Sequence, residues 1–183
     1  LITVSSGIHK MKDGSVWEAG TFKSSNGSEW HPHGFSATFP GTPKLFLTTQ
    51  SSLDANPAIV RTNNLNSQGF DAAVFEQEVS TNSFQPKTIG YLAIYSPDNQ
   101  GTVSIDGENR EYELSQVSMD DNWIEHNQYK LRLQEDQSKD EELSHRTEIV
   151  DILTIDGHLF AQPVSFNEKD PVSVRYSPLK PAQ

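Results

Sequence analysis

Two carboxylate pairs, Glu76 with Glu78 and Glu135 with Asp136, come nearest in type and spacing to hydrolytic chemistry in this chain. Glycoside hydrolysis needs two carboxyls facing each other across a cleft, one of them with a raised pKa. Residues two apart on a strand point the same way and lie about 7 Å apart, so Glu76 and Glu78 have a workable separation. Such pairs are equally at home on solvated sheet faces, and that reading is preferred here. The chain is therefore expected to be non-catalytic.

Metal chemistry has two candidate sets. His31 and His33 flank Pro32 and could share a metal with His145, but a third ligand at recognisable zinc spacing is missing. A polar loop leading into a strand at Gly34 is the preferred reading. Asp136, Asp140, Glu141 and Glu142 offer hard oxygen donors of the kind calcium takes. No D-x-D-x-D-G loop accompanies them, and a charged run is usually a solvated face. No cofactor is expected, with calcium the one metal left open. The absence of cysteine excludes disulfides, thiolate metal sites and a cysteine nucleophile.

Aromatic residues give the better lead. Sugar rings present C–H faces that lie against Trp or Tyr, while their hydroxyls pair with Arg, Asp, Asn and Gln. Trp17, Trp30 and Trp123 all have polar, turn-like neighbours, and core burial is the rival reading for each. Arg61 follows Asp54 and Asn56, and Arg175 follows Glu168 and Asp170. An Arg held by a carboxylate is a good hydroxyl donor and equally a structural ion pair. The expected carbohydrate contacts are Trp30, His31, Asp54, Arg61, Trp123, Asp170 and Arg175.

The elements that must position these residues are strands. Of 183 residues, 34% are hydrophobic, with 11 glycines and 10 prolines, and the mean hydropathy is −0.60. That is the profile of short strands joined by turns. Strand candidates are 34–39, 44–49, 58–62, 70–76, 88–95, 102–105, 111–117, 129–134, 149–155, 158–164 and 172–176, punctuated by Pro40-Gly41, Asp106-Gly107 and Asp156-Gly157. The segment 138–143, with a Ser-x-x-Glu cap, is the one short helical stretch. No apolar run is long enough to span a membrane. The net charge of −11 argues against nucleic acid and anionic membranes as partners. It makes a polyanionic glycan a less expected ligand too, unless a local basic groove overrides the average.

The chain also echoes itself. The stretch 45–61 aligns without a gap on 159–175, sharing Leu-Phe, a proline at 57 and 171, and a closing Val-Arg. A looser echo, for which chance is the alternative, sets 70–78 and the following Thr88-Ile89 against 129–137 and Glu148-Ile149. The order of the two elements is reversed between halves. That suits two related lobes, 1–97 and 98–183, with the second permuted, or a second repeat shared with a neighbouring domain.

The stretch 35–94 resembles the H-type lectin domain and its bacterial relatives. The residues concerned are Phe39, Pro43-Lys44-Leu45-Phe46-Leu47, Ile59-Val60-Arg61-Thr62-Asn63-Asn64, Gln68-Gly69-Phe70 and Thr88-Ile89-Gly90-Tyr91-Leu92-Ala93-Ile94. Similar bacterial versions occur in long secreted proteins, including polysaccharide-degrading enzymes. The later Leu133–Asp140 region (133–140) and His145-Arg146-Thr147-Glu148 look like the same group. The resemblance implies an antiparallel β-sandwich. The animal lectins hold N-acetylgalactosamine partly with a Trp-His pair, where this chain has Phe75-Glu76-Gln77-Glu78, so that sugar site does not carry over.

The resulting expectation is an all-β, H-type-lectin-like carbohydrate-binding module. It would be secreted and bacterial, and would target a catalytic hydrolase or lyase domain of the same polypeptide to a polysaccharide, a galactan or another marine glycan. The alternative is a structural or adhesive repeat of a large surface or phage-tail protein with no sugar site. An independent hydrolase or lyase is the least expected.

Overall fold

A computed structural model describes residues 3–25, 28–50, 57–76, 84–135, 145–167 and 172–179. Among the described residues the regular structure is entirely β, with antiparallel pairing throughout. The strands are β1 (Gly7–Lys10), β2 (Val16–Lys23), β3 (His31–Gly34), β4 (Lys44–Thr49), β5 (Ala58–Asn63), β6 (Gly69–Glu76) and β7 (Thr88–Tyr95). Then follow β8 (Gln100–Ile105), β9 (Glu108–Met119), β10 (Ile124–His126), β11 (Tyr129–Glu135), β12 (Glu148–Ile155), β13 (His158–Pro163) and β14 (Val172–Pro178).

These strands make four sheets, ordered β3-β6-β5, β1-β2-β7-β4, β13-β12-β9-β8 and β10-β11-β14. Three cores lie between them. Val60, Phe70 and Val74 pack on Leu45, Ile89 and Ala93 in the first. Trp17 and Ile94 meet Tyr112, Leu114, Leu153 and Ile155 in the second. Met119, Val150 and Ile152 meet Leu131, Leu133 and Val172 in the third. The two middle sheets are thus buried on both faces, which is why β12 reads as the near-continuous apolar run Ile-Val-Asp-Ile-Leu-Thr-Ile rather than as an alternation.

Every strand pair lies within 7–95 or within 100–178, and the two sets correspond. Reading β8, β9, β10, β11, β12, β13 and β14 as counterparts of β1, β2, β3, β6, β7, β4 and β5 reproduces the neighbour order of both sheets. The registers agree as well. Phe46 faces Leu92 as Phe160 faces Leu153, and Arg61 faces Ala73 as Arg175 faces Arg132. His33 faces Phe70 as His126 faces Tyr129. The middle core is built from such counterparts, Trp17 with Tyr112 and Ile94 with Ile155, and the Trp17 and Tyr112 rings meet edge to face at 5.1 Å.

Polar groups stitch this seam. β4 is an edge strand, and an unpaired edge N–H that is buried needs another acceptor. The Asp151 carboxylate accepts from Leu45 N–H at 3.0 Å and from the Gln116 amide at 2.7 Å, with the Lys44 ammonium 3.5 Å away. Gln162 Oε1 takes Leu47 N–H at 3.4 Å, and Tyr112 donates to Ser15 at 2.9 Å.

Two expectations need correction. The 34–39 segment is not a strand beyond Gly34, although Phe35, Ala37 and Phe39 pack into or against the first core. The buried Glu18 carboxylate takes the N–H groups of Ser36 and Ala37, at 3.0 and 2.6 Å, which a ladder would otherwise use. Conversely, the residues at 31–33, expected as loop, form β3. Strands β1, β2 and β10 were also not anticipated. The expected helical turn at 138–143 lies outside the described residues.

Candidate functional site

The outer face of the β10-β11-β14 sheet follows from alternation along β11. Tyr129, Leu131 and Leu133 enter the core, so Lys130, Arg132 and Gln134 face outward. Opposite them on β14 stand Ser177, Arg175 and Ser173. Trp123 directly precedes Ile124, the register partner of Leu131, and so comes beside Arg132. Its ring lies under the Arg132 guanidinium, 4.9 Å from carbon to centroid, and Trp123 remains 48% exposed. Arg175 is exposed and donates from Nε to Gln134 Oε1 at 2.9 Å.

Trp123, just before β10, thus stands in a row with Arg132 of β11 and Arg175 of β14, with Gln134 and two serines beside it. An aromatic face supported from behind by a cation, with amide, hydroxyl and guanidinium donors around it, can stack a ring and bond its substituents. Of the expected contacts, Trp123 and Arg175 are brought together here.

Trp30 and Arg61 hold the corresponding places in the first half, and there the surface is covered. Phe166, just after β13, meets the Trp30 ring edge to face at 4.8 Å and stacks on Phe75 at 5.5 Å. The Arg61 guanidinium sits 5.0 Å from the Phe166 centroid. Arg61 is 0% exposed; it donates to the Glu148 carboxylate and to Ser165 O at 3.3 Å. Its burial removes it from the expected contacts, and Trp30 is half-buried.

His31 is exposed, 3.8 Å from Glu29. Asp54 and Asp170 lie outside the described residues, as do Glu78, Asp136 and the 136–142 acidic run. Trp17 is core, at 3% exposure. The described members of the carboxylate pairs are both engaged, Glu76 with the Lys87 ammonium at 3.4 Å and Glu135 with His145 at 2.5 Å. Among the described residues, no three of His, Asp or Glu converge as metal ligands.

Burial also organises the histidines. His33 stacks on Phe22 with 3.8 Å between centroids; burial, aided by the charge of His31 and partly opposed by Asp71, lowers its pKa and keeps it neutral. His145 bridges Glu135 and Glu148 through its two ring nitrogens. Burial alone would lower its pKa, but the two carboxylates outweigh it and the net shift is upward.

A polar cleft of about 730 Å³ lies over β8, β9 and β12, lined by Thr102, Arg110, Glu111, Glu113, Thr154 and Asp156 among others. Arg110 is already paired with Glu108 and Asp156, and the nearby Tyr112 ring is buried in the seam. The cleft therefore has no aromatic platform and its cation is spent.

Sequence reasoning missed Arg132 and Gln134. The available signal was the alternation of Tyr129-Lys130-Leu131-Arg132-Leu133-Gln134, which puts three polar residues on one outer face. No family model, curated protein or solved structure matches the chain.

Proposed function

We propose that this chain is a non-catalytic carbohydrate-binding module whose glycan lies on the outer face of β10-β11-β14. The observation that carries the reading is Trp123, half exposed on a sheet face and backed by Arg132 at 4.9 Å. Large aromatic side chains held open among hydrogen-bonding groups mark binding surfaces. The engagement of Glu76 with Lys87 and of Glu135 with His145 supports a binding rather than a hydrolytic role.

One stacked ring and a few hydrogen bonds give micromolar-to-millimolar affinity, about 4–8 kcal/mol. That suits a secreted bacterial module tethering a catalytic domain to a polymer, because linkage raises the effective concentration at the substrate. Native gels containing neutral and acidic polysaccharides test the reading. Retardation by at least one glycan, lost in Trp123→Ala, is the expected result. Unchanged mobility in every gel overturns it and favours a structural or adhesive repeat.

A further inference from the structure

We propose that the ligand of this face is an acidic sugar, a ring carrying carboxylate or sulfate, with the ring on Trp123 and the anion between Arg132 and Arg175. The inference rests on the carbohydrate-binding reading and narrows it. Its first support is charge. Arg132 and Arg175 are direct register partners on antiparallel strands and both point outward, which brings their Cβ atoms to about 4.5–5.5 Å. Like charges so placed repel.

Among the described residues, neither cation has a carboxylate partner. Arg132 lies against the Trp123 π face, and among the described residues its buried Nε has no acceptor. Arg175 donates from Nε to the neutral Gln134 amide, which leaves its terminal nitrogens for a ligand. Lys130 is paired with Glu125 at 3.7 Å, so among the described residues the unpaired charge of this face lies on the two arginines. In a chain of net charge −11, two facing arginines with no carboxylate partner among the described residues are a local reversal of sign. Guanidinium groups match carboxylate and sulfate oxygens through two parallel N–H bonds.

The second support is the covered counterpart in the first half. There the Phe166 ring meets Trp30 edge to face, and Arg61 has both that ring and the Glu148 carboxylate. The protein fills that place with a ring and an acid from its own chain. The second half offers the same Trp and Arg, with Arg132 in place of Ala73 and Gln134 in place of Phe75, and leaves ring and acid to be supplied. A uronate or sulfated sugar supplies both in one residue.

Affinity electrophoresis of the whole chain tests this in gels of polygalacturonate and alginate (carboxylate), carrageenan (sulfate), and agarose and galactomannan (neutral), each referenced to a polymer-free gel. The expected result is retardation in at least one acidic gel and little in neutral gels, weakened at least tenfold by Arg175→Gln and by Arg132→Gln. Lys23→Gln, the same charge change on β2, should leave retardation intact. Retention in the uronate gels alone assigns carboxylate, and in carrageenan alone assigns sulfate. Equal retention by neutral and acidic polymers, or indifference to both arginine variants, overturns the acidic ligand while leaving carbohydrate binding standing. Loss of retention equally in Lys23→Gln overturns it as well, as bulk charge. No retention anywhere removes both readings. Arg175 is exposed, so its variant folds and keeps the test decisive should Arg132→Gln fail to fold.

Discussion

Arg61 and Glu148 join the two halves of the chain through a fully buried ion pair, 1% and 0% exposed at their side chains. The same Glu148 oxygen lies 3.0 Å from His145 Nε2, so one carboxylate engages a basic side chain from each half. Arg175, at the corresponding position of β14, is exposed and has no carboxylate partner among the described residues.

Replacement of these two arginines should therefore differ sharply. Arg61→Ala strands a buried carboxylate and should cost about 3–5 kcal/mol, read as a fall in the urea midpoint. Arg175→Ala alters an exposed residue and should stay within about 0.5 kcal/mol. Similar losses for both would show that the correspondence of position extends to role.

The His145 bridge makes stability depend on pH. Its folded pKa is raised above the ordinary 6.5 because Glu148 and then Glu135 outweigh burial. The folded state thus holds the proton more tightly than the unfolded chain. The contribution is fully present below 6.5 and is lost as pH rises through the folded value. Urea midpoints taken from about pH 6 to about pH 9 should fall for the native chain, and His145→Gln should flatten that fall.

The tryptophans separate in the same manner. Trp123→Ala should leave stability within about 1 kcal/mol and abolish glycan retention. Trp30→Ala opens the contact with Phe166 and Phe75 and should cost roughly 2 kcal/mol, less than a fully buried aromatic would. Acrylamide should quench Trp123 emission preferentially, and bound glycan should protect it.

Asp151 holds the edge of β4, and Asp151→Ala leaves Leu45 N–H and Lys44 without their buried acceptor. A loss of about 3 kcal/mol is expected by thermal or urea unfolding. Asp151→Asn, which keeps an acceptor oxygen, should recover part of it.

Much of this architecture is legible in the residues. β4 and β7 stand where β-branched and aromatic runs place them, and Asp106-Gly107 and Asp156-Gly157 turn with positive φ as their chemistry allows. β2 is hidden because Glu18 and Gly20 interrupt its apolar run. Glu18 is buried holding Ser36, Ala37 and Tyr91, and a Cβ at Gly20 would come within 2.6 Å of the Tyr91 ring. The fates of Trp30 and Trp123 are not legible locally, since both have polar neighbours. Phe166, far along the chain from Trp30, decides between them, and only the folded path of the segment after β13 brings it there.

The middle core, where Trp17 meets Tyr112 and Ile94 and Ile155 share one layer, has the form of an isologous dimer contact enclosed in a single polypeptide. In a dimer of identical subunits, any platform on one outer face recurs on the other. Covalent joining lifts that constraint. Here one face is closed by Phe166 and Glu148 and lends its tryptophan and arginine to rigidity, while its counterpart keeps them open. The two halves of one frame thus present unlike outer faces, and under the binding reading proposed above the ligand is engaged through one of them alone.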